Sequence, residues 1–475
     1  MKSTVRGLLS VAAAALLGGS LLVASPAQAA DPVTINLIGI NDFHGRVDAD
    51  TLKWAKVVED LKADGGAANT LMVSAGDNVG ASVFASALQG DEPTIDILNE
   101  IGLDATAAGN HEFDQGYADL INRIVPQADF KILAANVRKA DNSRALPAYE
   151  IFTVAGVKVA VIGAVTQETP TLVAPDRVTG LTFGDPSDSI NQAITEIARL
   201  PADQQPDVTV ASFHEGAPDG SQTFTQAMAQ SQVFNRLVNN TSPDVDAIFM
   251  GHTHQKYVYD APVPGTNRTR PVIQTGQYGE NVGQIKLSVD TDTDAVTTVE
   301  AKTVARGAQT DAAILTTNPG LQPIKDIRDA AVTYANQVGN VAKGEVTDDI
   351  TRAYVNPTAT PLVEDRASES SLGNLVADAL LYRIKDTDAG ADLGIVNPGG
   401  LRADLKYAGV PGDAVNSDGV VTRGELNTVL PFANNLNSVS ARAPTSRRSS
   451  SSSGRPIPEV RHRRGPTCSS VCPRT

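Results

Sequence analysis

The chain has 475 residues, of which 41% are hydrophobic and 20% charged, with a formal net charge of −15. This length leads one to expect two or more domains with ample core, and the acidic balance argues against broad nucleic-acid binding. Two cysteines, Cys468 and Cys472, stand at the far end of the chain, so the body holds neither a disulfide framework nor a thiolate metal site.

Residues 1–30 read as an export signal. Lys2 and Arg6 precede an apolar stretch from Leu8 to Ala24, broken by Gly18, Gly19 and Ser20, and SPAQAA supplies a cleavage site near Ala29 or Ala30. The rival reading, an uncleaved anchor, needs a longer apolar run, and no later segment reaches the ~18 apolar residues of a membrane span. The mature protein is therefore expected to be secreted, extracellular or periplasmic, without stable membrane insertion.

From residue 33 short apolar runs alternate with helix-like segments. VTINLIGI, TLMVSAG, DATAAG, KVAVIGAV, DVTVASF, DAIFMG and PVIQTG each have the length and β-branched content of a buried strand. LKWAKVVEDLKAD and DSINQAITEIARL carry helical apolar spacing, and GQIKLSVD with AVTTVEAKTV reads as a closing hairpin. Alternation of this kind predicts a layered α/β domain over 31–305. A helical linker follows over 306–340. A second α/β unit over 341–439 should contain a helix in SLGNLVADALLYRI and a strand entering a Gly turn in ADLGIVNPGGLRADL. Residues 440–475, rich in Ser, Arg and Pro, have the composition of a disordered tail. One motif, AVNSDGVVTRGEL, has Asn416, Asp418, Gly419 and Glu425 spaced like a calcium loop. Its first ligand position is Ala414 where Asp is needed, so it reads as a surface turn.

The polar motifs of the first domain share one place in the pattern: each directly follows an apolar strand. Five of the six histidines, His44, His111, His214, His252 and His254, lie in such motifs, accompanied by Asp42, Asp77 and Asn110. A lone histidine at a strand end is most often an ordinary loop residue; five of six placed alike, each near an isolated acid or amide, form a joint pattern that chance seldom produces. Loops at the carboxyl ends of strands converge on one crevice in open α/β sheets. Residues two apart leaving a strand share a side, which pairs Asp42 with His44 and His252 with His254. Seven O and N ligands without sulfur suit two divalent cations (Zn, Mn, Fe, Co or Mg) with Asp77 as the bridge. Such a pair clamps a phosphoryl group and lowers the pKa of a bridging water, whose hydroxide attacks phosphorus in line. His111 is then either a ligand or the general acid, with Asp114 placed to orient it. Glu112 and Glu215 read as supporting or solvated loop acids.

GINDFHGR, GDNVGAS, GNHEFD, HEG and GHTH resemble the calcineurin-like metallophosphoesterases, and within them the secreted 5′-nucleotidase branch, over about residues 33–439. The resemblance implies a four-layer α/β/β/α metallophosphoesterase sandwich followed by a partial α/β 5′-nucleotidase C-terminal domain. It assigns Asp42, His44, Asp77 and His254 to one metal and Asp77, Asn110, His214 and His252 to the other. His111 and Asp114 match the family's catalytic pair. In the second domain Arg366 and Arg402 match arginines that grip substrate oxyanions, Asn397 and Gly400 match the Gly-rich turn beside the base, and Phe432 matches one of two stacking aromatics. The second aromatic has no counterpart, and the abrupt change at residue 440 has the look of a frameshift or alternative C-terminus. The substrate implied is a nucleoside 5′-monophosphate. The rivals are 2′,3′-cyclic phosphodiesterase or UDP-sugar hydrolase activity, and a nucleotide- or metal-binding protein with little turnover because its second domain is incomplete. The oligomeric state is not readable from the sequence.

Overall fold

The computed structural model describes residues 31–440 apart from 294, 360–361, 388–389 and 432–435. The expected signal segment, Phe432 and all but the first residue of the tail, including both cysteines, lie outside the described residues. Two six-stranded sheets form the body. The first runs Ala295–Ala305, Asn281–Asp290, Val33–Ile40, Thr70–Ser74, Ala105–Ala107, Lys131–Leu133. Its last four strands are parallel, and the Asn281–Asp290 hairpin pairs antiparallel to Val33–Ile40. The second runs Lys256–Pro262, Thr269–Thr275, Ala247–Met250, Val208–His214, Val157–Val165, Tyr149–Val154, with four parallel strands between two antiparallel edges.

Alternation along the strands explains the layering. In Val33–Ile40, Ile35 and Leu37 join Leu71, Val73, Val159, Val161 and Phe249 in a core between the sheets, whereas Ile38 and Ile40 face outward into a second core. Gly39 belongs to the inner set; a Cβ there would lie 2.1 Å from the Phe249 ring, so the absent side chain lets the sheets close. The outward core is covered by the helices Thr51–Gly65 and Glu92–Glu100, through Trp54, Val58, Ile95 and Leu98. The second sheet is covered by Pro186–Ile197 and Gln232–Asn240, through Ile190, Ala193, Phe234 and Leu237. The result is an α/β/β/α sandwich. The strands Lys131–Leu133, Tyr149–Val154 and Lys256–Pro262 were not singled out by the apolar-run reading; the last alternates buried and exposed residues as an edge strand does.

The segment expected as a linker is packed. Helix Gln322–Gly339 buries Ile324, Ala331 and Ala335 in the outward core of the first sheet, together with Ile314 and Leu321. Beyond it the second unit has a two-stranded ribbon of Ala342–Glu345 with Val420–Thr422, the helix Ser371–Ile384, and a core of Leu372, Val376, Leu401, Leu405, Val421 and Val429. The strand expected in ADLGIV is not formed. Leu393 and Ile395 are 73% and 79% exposed and belong to no ladder among the described residues, and a β-run holds its conformation only where a neighbour accepts its hydrogen bonds. At the calcium-like motif, Glu425 caps its own helix by accepting from the Thr422 N–H at 2.7 Å, and its other oxygen accepts from Asn416, as a surface turn requires.

Candidate metal centre

The parallel strands of both sheets end on the same side, and the motifs leave from those ends. Asp42 and His44 follow Ile40, Asp77 follows Ser74, Asn110 and His111 follow Ala107, His214 ends its strand, and His252 and His254 follow Met250. Two of the loops are anchored by an aromatic residue within the motif. Phe43, between Asp42 and His44, packs on Trp54 with ring centroids 4.7 Å apart, and Phe113 packs on Phe183 at 5.4 Å.

The backbone turns sharply at the polar residues. Ten described non-glycine residues have positive φ, and six of them are at the cluster: Asp42 (48°), His44 (48°), Asp77 (52°), His252 (69°), His254 (59°) and Tyr278 (58°). Such conformations cost about 1–3 kcal/mol each and persist where surrounding structure holds them, which is commonly at functional sites. Left-handed turns, rather than the pleat of a continuing strand, aim these side chains. Asp42 and His44 share a group as the two-apart pairing expected, whereas His252 and His254 point into different groups.

Three overlapping groups of ligand atoms result: Asp42, His44 and His254; His44, Asp77 and His111; Asp77, His214 and His252. Within each group the atoms lie within 4.8 Å of one another. Asp77 links the groups, its Oδ2 lying 3.7 Å from His44 Nε2 and 3.1 Å from His214 Nε2. Asp42 Oδ1 is 3.3 Å from His254 Nε2, and Asn110 Oδ1 is 3.1 Å from His214 Nε2. All seven residues proposed as ligands from the sequence are thus brought together.

Electrostatics favour divalent cations here. Asp42 and Asp77 are 0% and 2% exposed, and among the described residues only histidines lie within ion-pair distance of them. Buried carboxylates need a cation. His44 Nδ1 lies 2.8 Å from the Gly80 carbonyl and His214 Nδ1 2.7 Å from that of Ala75. A carbonyl only accepts, so each Nδ1 carries the proton, and the neutral ring keeps its Nε2 lone pair toward the cluster. Burial holds His44 down at about 3, against the pull of Asp77, and so favours the neutral ligand form. For His214 burial is outweighed by Asp77, which raises it to about 10; a cation between the two would replace that proton. The donor set, nitrogen and oxygen only, fits the two-metal expectation.

His111 donates its backbone N–H to Asp77 Oδ1 at 2.9 Å, and its Nδ1 lies 2.8 Å from Asp114 Oδ2. Burial opposes its charge, but Asp77 and Asp114 raise it to about 9. Its ring stands edge-on to that of His44, with centroids 5.2 Å apart.

Glu112 is not a solvated acid. It is 3% exposed, and its Oε2 accepts from the N–H groups of Asp77 (3.0 Å) and Gly109 (2.6 Å) while Oε1 accepts from Asn78 (2.8 Å). It thereby ties the loop bearing Asp77 to the loop bearing Asn110. A Cβ at Gly109 would fall 2.1 Å from Asp77 Oδ1, so glycine permits that approach. Glu215 accepts from the Thr166 hydroxyl at 2.7 Å. Two neighbours of the centre escaped the sequence reading: Tyr278, whose N–H donates to the Asp42 carbonyl at 2.8 Å, and Arg46, stacked on the Tyr278 ring. The position of Arg46 two residues past His44 was the available signal. In the second unit, the Asn397 side chain accepts from the Gly399 N–H at 3.2 Å, Gly400 closes that turn, and Arg366 lies beside it with Nε 3.3 Å from Glu364 Oε1. Arg402 is partly buried nearby.

The sequence profile of the calcineurin-like phosphoesterases matches residues 35–256, and that of the 5′-nucleotidase C-terminal domain matches 341–442. The chain is 28% identical over 439 residues to Endonuclease YhcR of Bacillus subtilis, covering 85% of this chain and 31% of that protein. It spans 54% of the length of a second relative. It is 26% identical over 468 residues to a 5′-nucleotidase of Vibrio vulnificus, covering 91% and 78% of the two chains. The crystal structure of a 5′-nucleotidase precursor from Thermus thermophilus superposes with a TM-score of 0.60 at 20% identity, covering 85% of this chain and 74% of that one, which shows a shared fold. With its sandwich, its strand-end cluster and both profiles matched in order, the chain belongs to the calcineurin-like phosphoesterases that carry a 5′-nucleotidase C-terminal domain.

Proposed function

We propose that this protein is an exported, metal-dependent phosphomonoester hydrolase that releases phosphate from nucleoside 5′-monophosphates and related nucleotides. The observation that carries the reading is the Asp77 carboxylate, buried between two groups of nitrogen and oxygen donors and within reach of both. Asp42, His44, Asp77 and His254 would hold one divalent ion; Asp77, Asn110, His214 and His252 the other. When bound, such a pair clamps a phosphoryl group and makes water acidic enough to act as nucleophile near neutral pH. The chain's own contribution is proton control and placement. His111, oriented by Asp114, carries a proton at Nε2 and delivers it to the leaving oxygen. Arg366 and Arg402 suit substrate oxyanions because a guanidinium donates two bonds in one plane. Asn397 and Gly400 form the turn on the base side, and Phe432 is the expected stacking ring. The nucleotidase names among the relatives, and the Lys2/Arg6 leader with its A-x-A site, support substrate class and export respectively.

Phosphate release from AMP and from p-nitrophenyl phosphate tests the reading. A chelator should abolish both and Mn²⁺ or Zn²⁺ restore them; chelator-insensitive release refutes it. Turnover of p-nitrophenyl phosphate, which needs no grip on a base, separates a working metal centre from a mere nucleotide binder. The exported protein should begin near Ala30, as N-terminal sequencing would show.

A further inference from the structure

Asn41 stands between the end of the strand Val33–Ile40 and Asp42, and it is not among the seven proposed ligands. It is 3% exposed. Its Oδ1 accepts from the Thr275 N–H at 2.8 Å and from the Thr275 hydroxyl at 2.6 Å. Its Nδ2 donates to the Gly276 carbonyl at 2.6 Å and to Asp42 Oδ2 at 2.7 Å. A carboxamide has two N–H groups and two lone pairs, and here all four are engaged. The partners also fix which end is which, since the Thr275 N–H only donates and the Gly276 carbonyl only accepts. Thr275 ends a strand of the second sheet, and Gly276 turns after it with φ 84°. The side chain therefore reaches from one sheet to the other and also holds a carboxylate of the metal centre.

That contact sorts the two oxygens of Asp42. Oδ2 takes the Asn41 bond, and the His252 N–H lies 3.0 Å from Oδ2 and 3.2 Å from Oδ1. Oδ1 is the oxygen toward the ring nitrogens, 3.3 Å from His254 Nε2 and 3.8 Å from His44 Nε2. We propose that Asn41 is a positioning residue: by holding Asp42 Oδ2 it presents Oδ1 to the ion shared with His44 and His254, and so sets the affinity for that ion. This rests on the metal-dependent reading above. A buried amide that only ties two sheets together needs its bonds to Thr275 and Gly276. The fourth bond, to the carboxylate, belongs to a positioning role, because partners behind a metal ligand orient it. A ligand already ordered also loses less freedom when the ion arrives, which strengthens binding without a new contact.

The test is calorimetric titration of the metal-stripped full chain with Mn²⁺, without substrate, in wild type, Asn41→Asp and Asn41→Ser. Aspartate keeps the shape and the acceptor toward Thr275 but has no N–H to give. It should weaken one of the two binding events by about 10–100-fold, the loss typical of groups behind metal ligands, and change the other by less. Charge alone predicts the opposite, since an added carboxylate beside a cation tightens binding. Asn41→Ser, with one proton to donate and no added charge, should weaken the same event by a smaller factor. Equal or tighter Mn²⁺ binding in Asn41→Asp, or the same loss at both events, would overturn the assignment. Thermal melting of the metal-free variants reports whether each is folded. If Asn41→Asp is not, Asn41→Ser decides, and unchanged Mn²⁺ affinity there sinks the proposal. Release of phosphate from p-nitrophenyl phosphate is read alongside. A wild type that binds two ions but releases no phosphate refutes the hydrolase reading and leaves the affinities to judge Asn41. A wild type that binds neither Mn²⁺ nor Zn²⁺ ends both.

Discussion

Asp77 and Glu112 are both buried acids in glycine-flanked motifs, yet they do different things. Asp77 offers its oxygens to two histidine groups, whereas both oxygens of Glu112 are taken up by backbone amides. Asp77→Asn should therefore remove the carboxylate charge that links the histidine groups and lower phosphate release by more than the ~10–100-fold typical of changes behind metal ligands. Glu112→Gln should fall within about that range, because one amide-accepting oxygen becomes a donor facing N–H groups and loosens the loops of Asp77 and Asn110. Phosphate assays with elemental analysis of bound metal check both: Glu112→Gln should retain more metal than Asp77→Asn, and the reverse order would contradict the assigned roles. The members of the cluster were legible because histidine is rare in this chain and sits beside acids. The role of Glu112 was not, since a carboxylate that collects amides looks the same in sequence as one that faces water.

Strand ends position the centre, and the elements behind them keep it there. Helix Gln232–Asn240, which packs on the second sheet, ends against Arg270, a residue 1% exposed. The Arg270 guanidinium donates to the carbonyls of Val238 (2.9 Å), Thr241 (3.0 Å), Ser242 (2.7 Å) and Val245 (3.2 Å). Carbonyls at a helix C-terminus lack partners within the helix, and a cation there also meets the favourable end of the dipole. Arg270→Met keeps apolar bulk but strands those carbonyls, and should destabilise the protein by roughly 2–4 kcal/mol. Urea unfolding would read this, and a loss below ~0.5 kcal/mol would mean that water replaces the guanidinium. At this scale the apolar runs located most of the central strands. Edge strands such as Lys256–Pro262 escaped because half their residues face solvent. ADLGIV misled because hydrophobicity reports burial, whereas a strand also needs a neighbour's hydrogen bonds.

Across the whole molecule the two units are unequal. The first has three apolar cores, one between the sheets and one on each outer face, while the second has a single small one. Helix Ser371–Ile384 buries only Leu372 and Val376 and leaves Leu375 and Tyr382 42% and 63% exposed. Burial stabilises by about 25 cal/mol per Å² of apolar surface, so the second unit should melt first. Calorimetry should show two transitions. Adding Mn²⁺ at a hundredfold excess over its dissociation constant should stabilise the upper one by about 2.7 kcal/mol through mass action, leaving the lower nearly in place. A single transition shifted as one by the metal would show that the packed helix Gln322–Gly339 couples the units into one cooperative body.

By itself the sequence determined the alternation of strand and helix, the placing of polar motifs after apolar runs, and a ligand chemistry without sulfur. Those depend on local pattern and on which residue types are scarce. Only the tertiary structure decided that left-handed turns aim the clustered side chains, that Glu112 is a clamp, and that Arg46 stacks on a tyrosine 232 positions away. These relations join residues far apart in the chain, and their energies arise from distances that no local pattern encodes.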